Sequence, residues 1–160
     1  MNKLQFVSHS PEETQKLGKK LGQLARAEDI FLLTGPLGAG KTCLTQGVAW
    51  GLDIEEYTLS PSFVLVRELH GRLPLFHADL YRLERIEEIA ELGLEEYLYG
   101  KGVTVIEWAE KGLEILPHEH LHIHLNYVSE NERQIEIEPH GGRYTNLLAE
   151  LKSELNLRRK

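Results

Sequence analysis

The residues best able to do chemistry in this 160-residue chain lie in one run, "GPLGAGKT" at 35–42, which fills the pattern G-x-x-x-x-G-K-[ST] with Gly35, Gly40, Lys41 and Thr42. A loop of this kind wraps its backbone N–H groups around the α- and β-phosphates of a nucleotide. Lys41 would reach the β- and γ-oxygens and the Thr42 hydroxyl would ligate Mg²⁺. Glycines serve because the backbone must take unusual dihedrals and come close to the anion. A helix that follows adds the positive end of its dipole. The bland reading is a glycine-rich turn. The setting argues against it: "DIFLLT" (29–34) reads as a buried strand and "TCLTQGVAWGL" (42–52) as a helix, which is the strand–loop–helix order a P-loop requires.

A Mg²⁺ site beside such a loop needs a carboxylate at the end of a neighbouring strand, bound directly or through water. Asp79 in "LFHADLYR" and Glu107 in "VTVIEW" both follow apolar runs and both fit that position. The alternative for each is a surface acid that ends a strand.

These residues need a scaffold, and the rest of the chain reads as α/β. "KLQFV" (3–7) suggests a first strand. Residues 10–25 suggest a helix with Ser10 as cap, Pro11 in its first turn and Glu13 completing a capping box. The stretch 62–82 has two apolar runs around "HGR" and predicts an antiparallel hairpin. Residues 85–98 predict a helix broken near Gly93, and 102–110 a buried strand. Residues 119–128 and 132–139 alternate as half-exposed strands, and 144–155 form a closing helix. The fold expected is a P-loop NTPase-like mixed, mostly parallel sheet flanked by helices, with an antiparallel hairpin. It should form a single domain over 1–160, with a disordered tail at 156–160.

Composition narrows the function classes. Hydrophobic residues are 41% and charged residues 27%, as in an ordinary globular domain. No run approaches the roughly 18 apolar residues of a membrane span, and "MNKLQFVSHS" carries no signal-peptide core. The lone Cys43 rules out an internal disulfide, so the cytoplasm is the expected compartment. A net charge of −7 argues against a domain that grips nucleic acid through a broad basic surface.

Taken together, "GPLGAGKT", "SPSF" (60–63), "HADLYR" (77–82) and "IEW" (106–108), in that order and at these intervals, resemble the TsaE (YjeE) family. These are small bacterial P-loop ATPases required to make threonylcarbamoyladenosine in tRNA. The similarity extends over nearly the whole chain. It implies that Gly38, Ala39, Gly40, Lys41, Thr42 and Cys43, with Gly35, bind the nucleotide. It implies that Thr42 and Glu107 ligate Mg²⁺, and that Asp79 serves hydrolysis or the metal. It makes Ser60 and Ser62 part of a segment sensing the γ-phosphate, Trp108 a neighbour of nucleotide and partner, and Arg133 a basic residue approaching the nucleotide. "SHSPEE" (8–13) would lie near the adenine. The cofactors implied are ATP and Mg²⁺, with Lys41, Asp79 and Glu107 as the catalytic set. The partners implied are TsaB- and TsaD-like proteins, with tRNA met only through them and no membrane.

The chain departs from the family pattern in three places. Pro36 stands where Asp is usual, Ser62 where Thr is usual, and Cys43 where Thr is common. Pro36 lacks an N–H but precedes the amides that cradle the phosphate. Cys43 puts a thiol at a helix N-terminus, where the dipole lowers its pKa. Other residues carry two readings. Trp108 is either a site residue or core. His77 is expected to pack or orient the 77–82 loop. His118, His120, His122 and His124 alternate on one strand face, which suits solvent better than a transition metal because no Cys or carboxylate closes the set. The competing function is a small-molecule kinase with the same P-loop. It would need an acceptor pocket and an arginine-bearing lid, and Arg82 and Arg85 are the only close pair before the C-terminal tail.

Overall fold

Seven strands make one sheet, in the order β1-β7-β6-β2-β5-β4-β3. The structure is a computed structural model that describes residues 3–57, 66–98 and 100–159, the last four by backbone alone. The strands are β1 (Leu4–Ser8), β2 (Ile30–Thr34), β3 (Val66–Leu69), β4 (Leu75–Asp79), β5 (Val103–Glu107), β6 (His120–Tyr127) and β7 (Arg133–His140). The central four, β6-β2-β5-β4, run parallel. Both edges are antiparallel, through β1 and β7 on one side and the β3–β4 hairpin on the other. β2 and β5 are buried at every position, as expected for parallel strands covered on both faces.

The helices are α1 (Pro11–Leu24), α2 (Lys41–Gly51), α3 (Ile86–Glu91) and α4 (Gly142–Arg159). One face of the sheet packs Phe31, Leu33, Val105, Ile123 and Ile137 against Leu17 and Leu21 of α1, Leu44 and Val48 of α2, and Leu147 and Leu151 of α4. The other face packs Ile30, Leu32, Ala78 and Ile106 against Ile89 of α3 and against Leu94, Ala109 and Leu116. On that second face β6 and β7 present His122, His124, Glu136, Glu138 and His140 as half-buried side chains, with His120 deeper.

Ser10 caps α1 as predicted: its Oγ accepts from the Glu13 N–H at 3.1 Å. The return contact goes one residue further out, from the His9 N–H to Glu13 Oε2 at 2.9 Å. α3 stops before Gly93, which takes φ 68°, and a short 3-10 turn (Leu94–Glu96) follows. At the other end the backbone of α4 stays helical to Arg159.

α1 and α2 meet through glycines on both sides. A Cβ on Gly18 or Gly22 would stand 2.3 Å from the Leu44 carbonyl oxygen or 2.2 Å from that of Val48. A Cβ on Gly47 or Gly51 would stand 2.1 Å from the Gln15 oxygen or 2.2 Å from that of Lys19. Side chains there would drive the helices apart, and α2 is the helix that leaves the glycine loop.

Candidate functional site

The loop 35–40 turns the end of β2 into the start of α2. Gly40 is the N-cap of α2 at φ 101°, and Gly38 sits at φ 82° with nothing within 4 Å of a Cβ built on it. Gly38 therefore meets a conformational demand, since left-handed backbone strains any side chain. Gly35 meets a spatial one as well, because its Cβ would stand 2.1 Å from the Leu125 carbonyl oxygen of β6. Its N–H donates to Glu110 Oε2 at 2.9 Å, which ties the loop to the 3-10 turn after β5.

A cavity of about 510 Å³ opens over the loop, lined by Leu37, Gly38, Ala39, Gly40, Lys41, Thr42, Cys43, Asp79, Tyr81, Arg82, Glu107 and Trp108. Lys41 is 5% exposed. Its ammonium donates to the carbonyls of Gly35 and Pro36 and lies 3.8 Å from the centroid of the Trp108 ring. Burial pushes its pKa below the ordinary lysine value, and the carboxylates of Glu110, Glu107 and Asp79 oppose that shift. Trp108 holds this position at φ 59°, a left-handed conformation strained for a bulky residue. It also packs on the second core and edge-on against Tyr81, centroids 4.8 Å apart. The two sequence readings of Trp108, site and core, describe different faces of one ring.

Asp79 and Glu107 are register partners at the ends of adjacent parallel strands, both buried, at 4% and 2%. They point to the face that carries α2. Glu107 Oε1 accepts from the Thr42 hydroxyl at 2.9 Å. Its Oε2 accepts from His77 Nε2 at 2.5 Å and from the Thr45 hydroxyl at 3.3 Å. Asp79 Oδ1 accepts from the Tyr81 N–H at 2.9 Å. Among the described residues no three His, Cys, Asp or Glu side chains converge as a metal cage. A hard cation that keeps its waters and shares a substrate's phosphates needs only one or two carboxylates and a hydroxyl, and Thr42, Glu107 and Asp79 are that donor set. The residues present fit such an ion.

Arg133, at the start of β7, reaches the loop from the other side. Its Nε donates to the Gly38 carbonyl at 3.2 Å, its Nη1 to the Ser129 carbonyl at 2.7 Å, and it stacks on Tyr127 at 4.5 Å. With Ser10, Pro11, Thr14, Gly40 and Cys43 it lines a smaller cavity of about 160 Å³, so the start of α1 does border the loop. Cys43 corrects an expectation. Its thiol is shifted above the ordinary cysteine value, by burial first and then by the Glu12 carboxylate, against a smaller opposing effect of Arg133.

The structure thus gathers Gly38, Ala39, Gly40, Lys41, Thr42, Cys43, Asp79, Glu107 and Trp108 around one cavity and sets Gly35 and Arg133 behind its wall. Ser60 and Ser62 lie outside the described residues. Sequence reasoning missed Thr45, Glu110 and Tyr81, and it gave His77 the wrong neighbour. Thr45 could have been found, since it follows Thr42 by three helical positions and so shares its face. The alternating histidines are explained locally. Thr34 Oγ1 lies 2.8 Å from His122 Nε2 and 2.6 Å from His124 Nδ1, and His120 stacks on His140.

Comparison with known proteins gives one family. A sequence model of "Threonylcarbamoyl adenosine biosynthesis protein TsaE" matches residues 8–135. The tRNA threonylcarbamoyladenosine biosynthesis protein TsaE of Bacillus subtilis (strain 168) is 40% identical over 158 residues, covering 98% of this chain and 99% of its own. That of Treponema pallidum (strain Nichols) is 40% identical over 134 residues, covering 84% and 99%. The crystal structure of Bacillus subtilis YdiB superposes with a TM-score of 0.84 at 37% identity, covering 96% of each chain.

Proposed function

This chain belongs to the TsaE family, whose members take part in tRNA threonylcarbamoyladenosine biosynthesis, and from that premise we propose that it is a Mg²⁺-dependent ATPase whose hydrolysis resets a TsaB–TsaD-like transferase complex. The observation that carries this reading is the pairing of the glycine loop with the Thr42–Glu107 contact at the mouth of one cavity. Loop amides and the α2 N-terminus suit the β-phosphate. Lys41 would leave the Gly35 and Pro36 carbonyls for the β- and γ-oxygens. Thr42 and Glu107, with Asp79 beside them, would hold Mg²⁺, which neutralises phosphate charge when bound. Asp79, its Oδ1 oriented by the Tyr81 N–H, would order the attacking water. Tyr81, Trp108 and Leu37, at the cavity rim, would be the surface a partner protein senses. Among the described residues no helix is long and apolar enough to cross a membrane, and the tRNA is met through the partners. Hydrolysis needs an ordered water and charge stabilisation at the γ-phosphate, which an isolated small domain supplies poorly, so slow turnover by the chain alone is expected.

The test is phosphate release from ATP with no acceptor added, measured for the chain alone and with the TsaB–TsaD pair. Slow release that the pair accelerates, and that Lys41→Ala abolishes, is the expected result. Release that requires a small-molecule acceptor would move the protein to the kinases.

A further inference from the structure

Three side chains hydrogen-bond the Glu107 carboxylate, and two of them, Thr45 and His77, have no assigned role. Its Oε1 takes the Thr42 hydroxyl at 2.9 Å, while its Oε2 takes Thr45 at 3.3 Å and His77 at 2.5 Å. The Thr45 hydroxyl also donates to the Lys41 carbonyl at 2.9 Å, so its single proton is shared. The short contact to His77 is therefore the firm one. His77 is fully buried, and its other nitrogen, Nδ1, has no hydrogen-bond partner among the described residues. An ionised carboxylate only accepts, so the hydrogen in the short contact belongs to Nε2. A packing residue at the centre of β4 could be aliphatic, as Leu75 is on the same face two residues earlier. Burying an imidazole there with one nitrogen unsatisfied is costly, and the one polar contact it makes is to Glu107.

We propose that His77 is the positioning residue for the Glu107 carboxylate. β4 and β5 place it diagonally across from Glu107, with Val105 as its register partner. From there it pins Oε2 toward the sheet, which leaves Oε1 turned to Thr42 and the cavity. A glutamate at a strand end has three side-chain torsions to fix, and a cation site needs its ligand oxygen held before the ion arrives. This proposal rests on the reading of Thr42 and Glu107 as the Mg²⁺ ligands and extends it one residue further out. His77 touches neither ion nor nucleotide.

The test compares ATP affinity by calorimetry with Mg²⁺ and with EDTA. In the wild type Mg²⁺ is expected to tighten binding. His77→Leu is expected to keep the EDTA affinity within about twofold and to lose at least tenfold of the gain from Mg²⁺, about 1.4 kcal/mol. His77→Gln, whose amide N–H can reach the same oxygen, is expected to restore most of it. A full Mg²⁺ gain in His77→Leu overturns the proposal, and so does an equal loss in both variants. Wild-type protein that binds no ATP, or binds it without regard to Mg²⁺, would instead defeat the functional reading. For that case, and for a His77→Leu that does not fold, imidazole ¹⁵N spectra of ligand-free protein decide. The Nε2–H tautomer at His77, with signals that move on Glu107→Gln, supports the proposal. An Nδ1–H tautomer, or signals that do not move, overturns it.

Discussion

The Lys41 ammonium sits 3.8 Å from the centre of the Trp108 ring while donating to the carbonyls of its own loop. In this arrangement the cation that should meet a phosphate is occupied by the loop and covered by an indole. A ligand that draws Lys41 away changes the environment of Trp108 directly. Trp50 is the only other tryptophan, so a Trp50→Phe variant isolates the signal. Its fluorescence is expected to change on titration with Mg²⁺-ATP and to saturate with binding. A flat titration at saturating nucleotide would remove Trp108 from the site.

Lys41→Ala should weaken ATP binding at least tenfold, about 1.4 kcal/mol, with the fold intact by circular dichroism. Unchanged affinity in calorimetry would undo the assignment of 35–42 as a phosphate loop.

The two acids should separate. Glu107→Gln is expected to abolish the Mg²⁺ dependence of binding, because an amide is a poor ligand for this cation. Asp79→Asn is expected to bind ATP normally and to hydrolyse it about a hundredfold more slowly, within the range of a positioned base. Binding isotherms and single-turnover hydrolysis distinguish them, and the reverse pattern would exchange the roles.

Cys43 should react slowly. Burial and Glu12 raise its thiol above the ordinary value, so little thiolate exists at neutral pH. Alkylation by iodoacetamide at pH 7.5 is expected to run slower than that of free cysteine. ATP should slow it further, since Cys43 lines both cavities. Rapid alkylation unaffected by ATP would contradict this placement.

Stability should fall on mild acidification. His120 and His122 are both held below the ordinary imidazole value of 6.5, by burial first. Neighbouring imidazoles add to the shift: His118, His122 and His140 around His120, His124 and His140 around His122. The Pro117 carbonyl opposes it for His120, and Glu138 and Glu110 oppose it for His122. A lowered folded-state pKa means that the unfolded chain binds protons first. Stability is therefore full above about pH 6.5 and lost as the pH falls from there through the folded-state values, by at most about 1.4 kcal/mol per pH unit for each group. Urea midpoints between pH 7.5 and 5 should decline, and less so in His122→Gln. An identical decline in that variant would take His122 out of the effect.

Much of this site was legible as sequence because its chemistry is local. A phosphate loop needs glycines at positive φ, and Gly35, Gly38 and Gly40 take them. The strand before it was visible as a continuous apolar run, and the stretch after it read as a helix. The pairing of Asp79 with Glu107 was not, because it depends on β4 lying beside β5, which no spacing states. The same is true of Glu110 on Gly35 and of His77, which the 77–82 motif seemed to give to its own loop. Cys43 was misread because its helix dipole was considered without Glu12 and without the burial that outweighs it.

At Gly18, Gly22, Gly47 and Gly51 a carbonyl of the facing helix stands where a side chain would begin, so α1 and α2 cannot slide or roll against each other. α2 starts at Lys41 and α1 just after Ser10, which makes the glycine loop and the start of α1 one stiff block, an anvil. The opposite rim of the cavity is joined by side chains instead. Trp108 leans on Lys41, Glu110 holds Gly35, and Lys111 clasps the carbonyls of Tyr81 and Leu83. Contacts of that kind exchange partners at little cost, whereas helices in backbone contact do not. Rearrangement at the loop therefore costs less on the flank of Trp108, Glu110 and Lys111 than on the flank of α1.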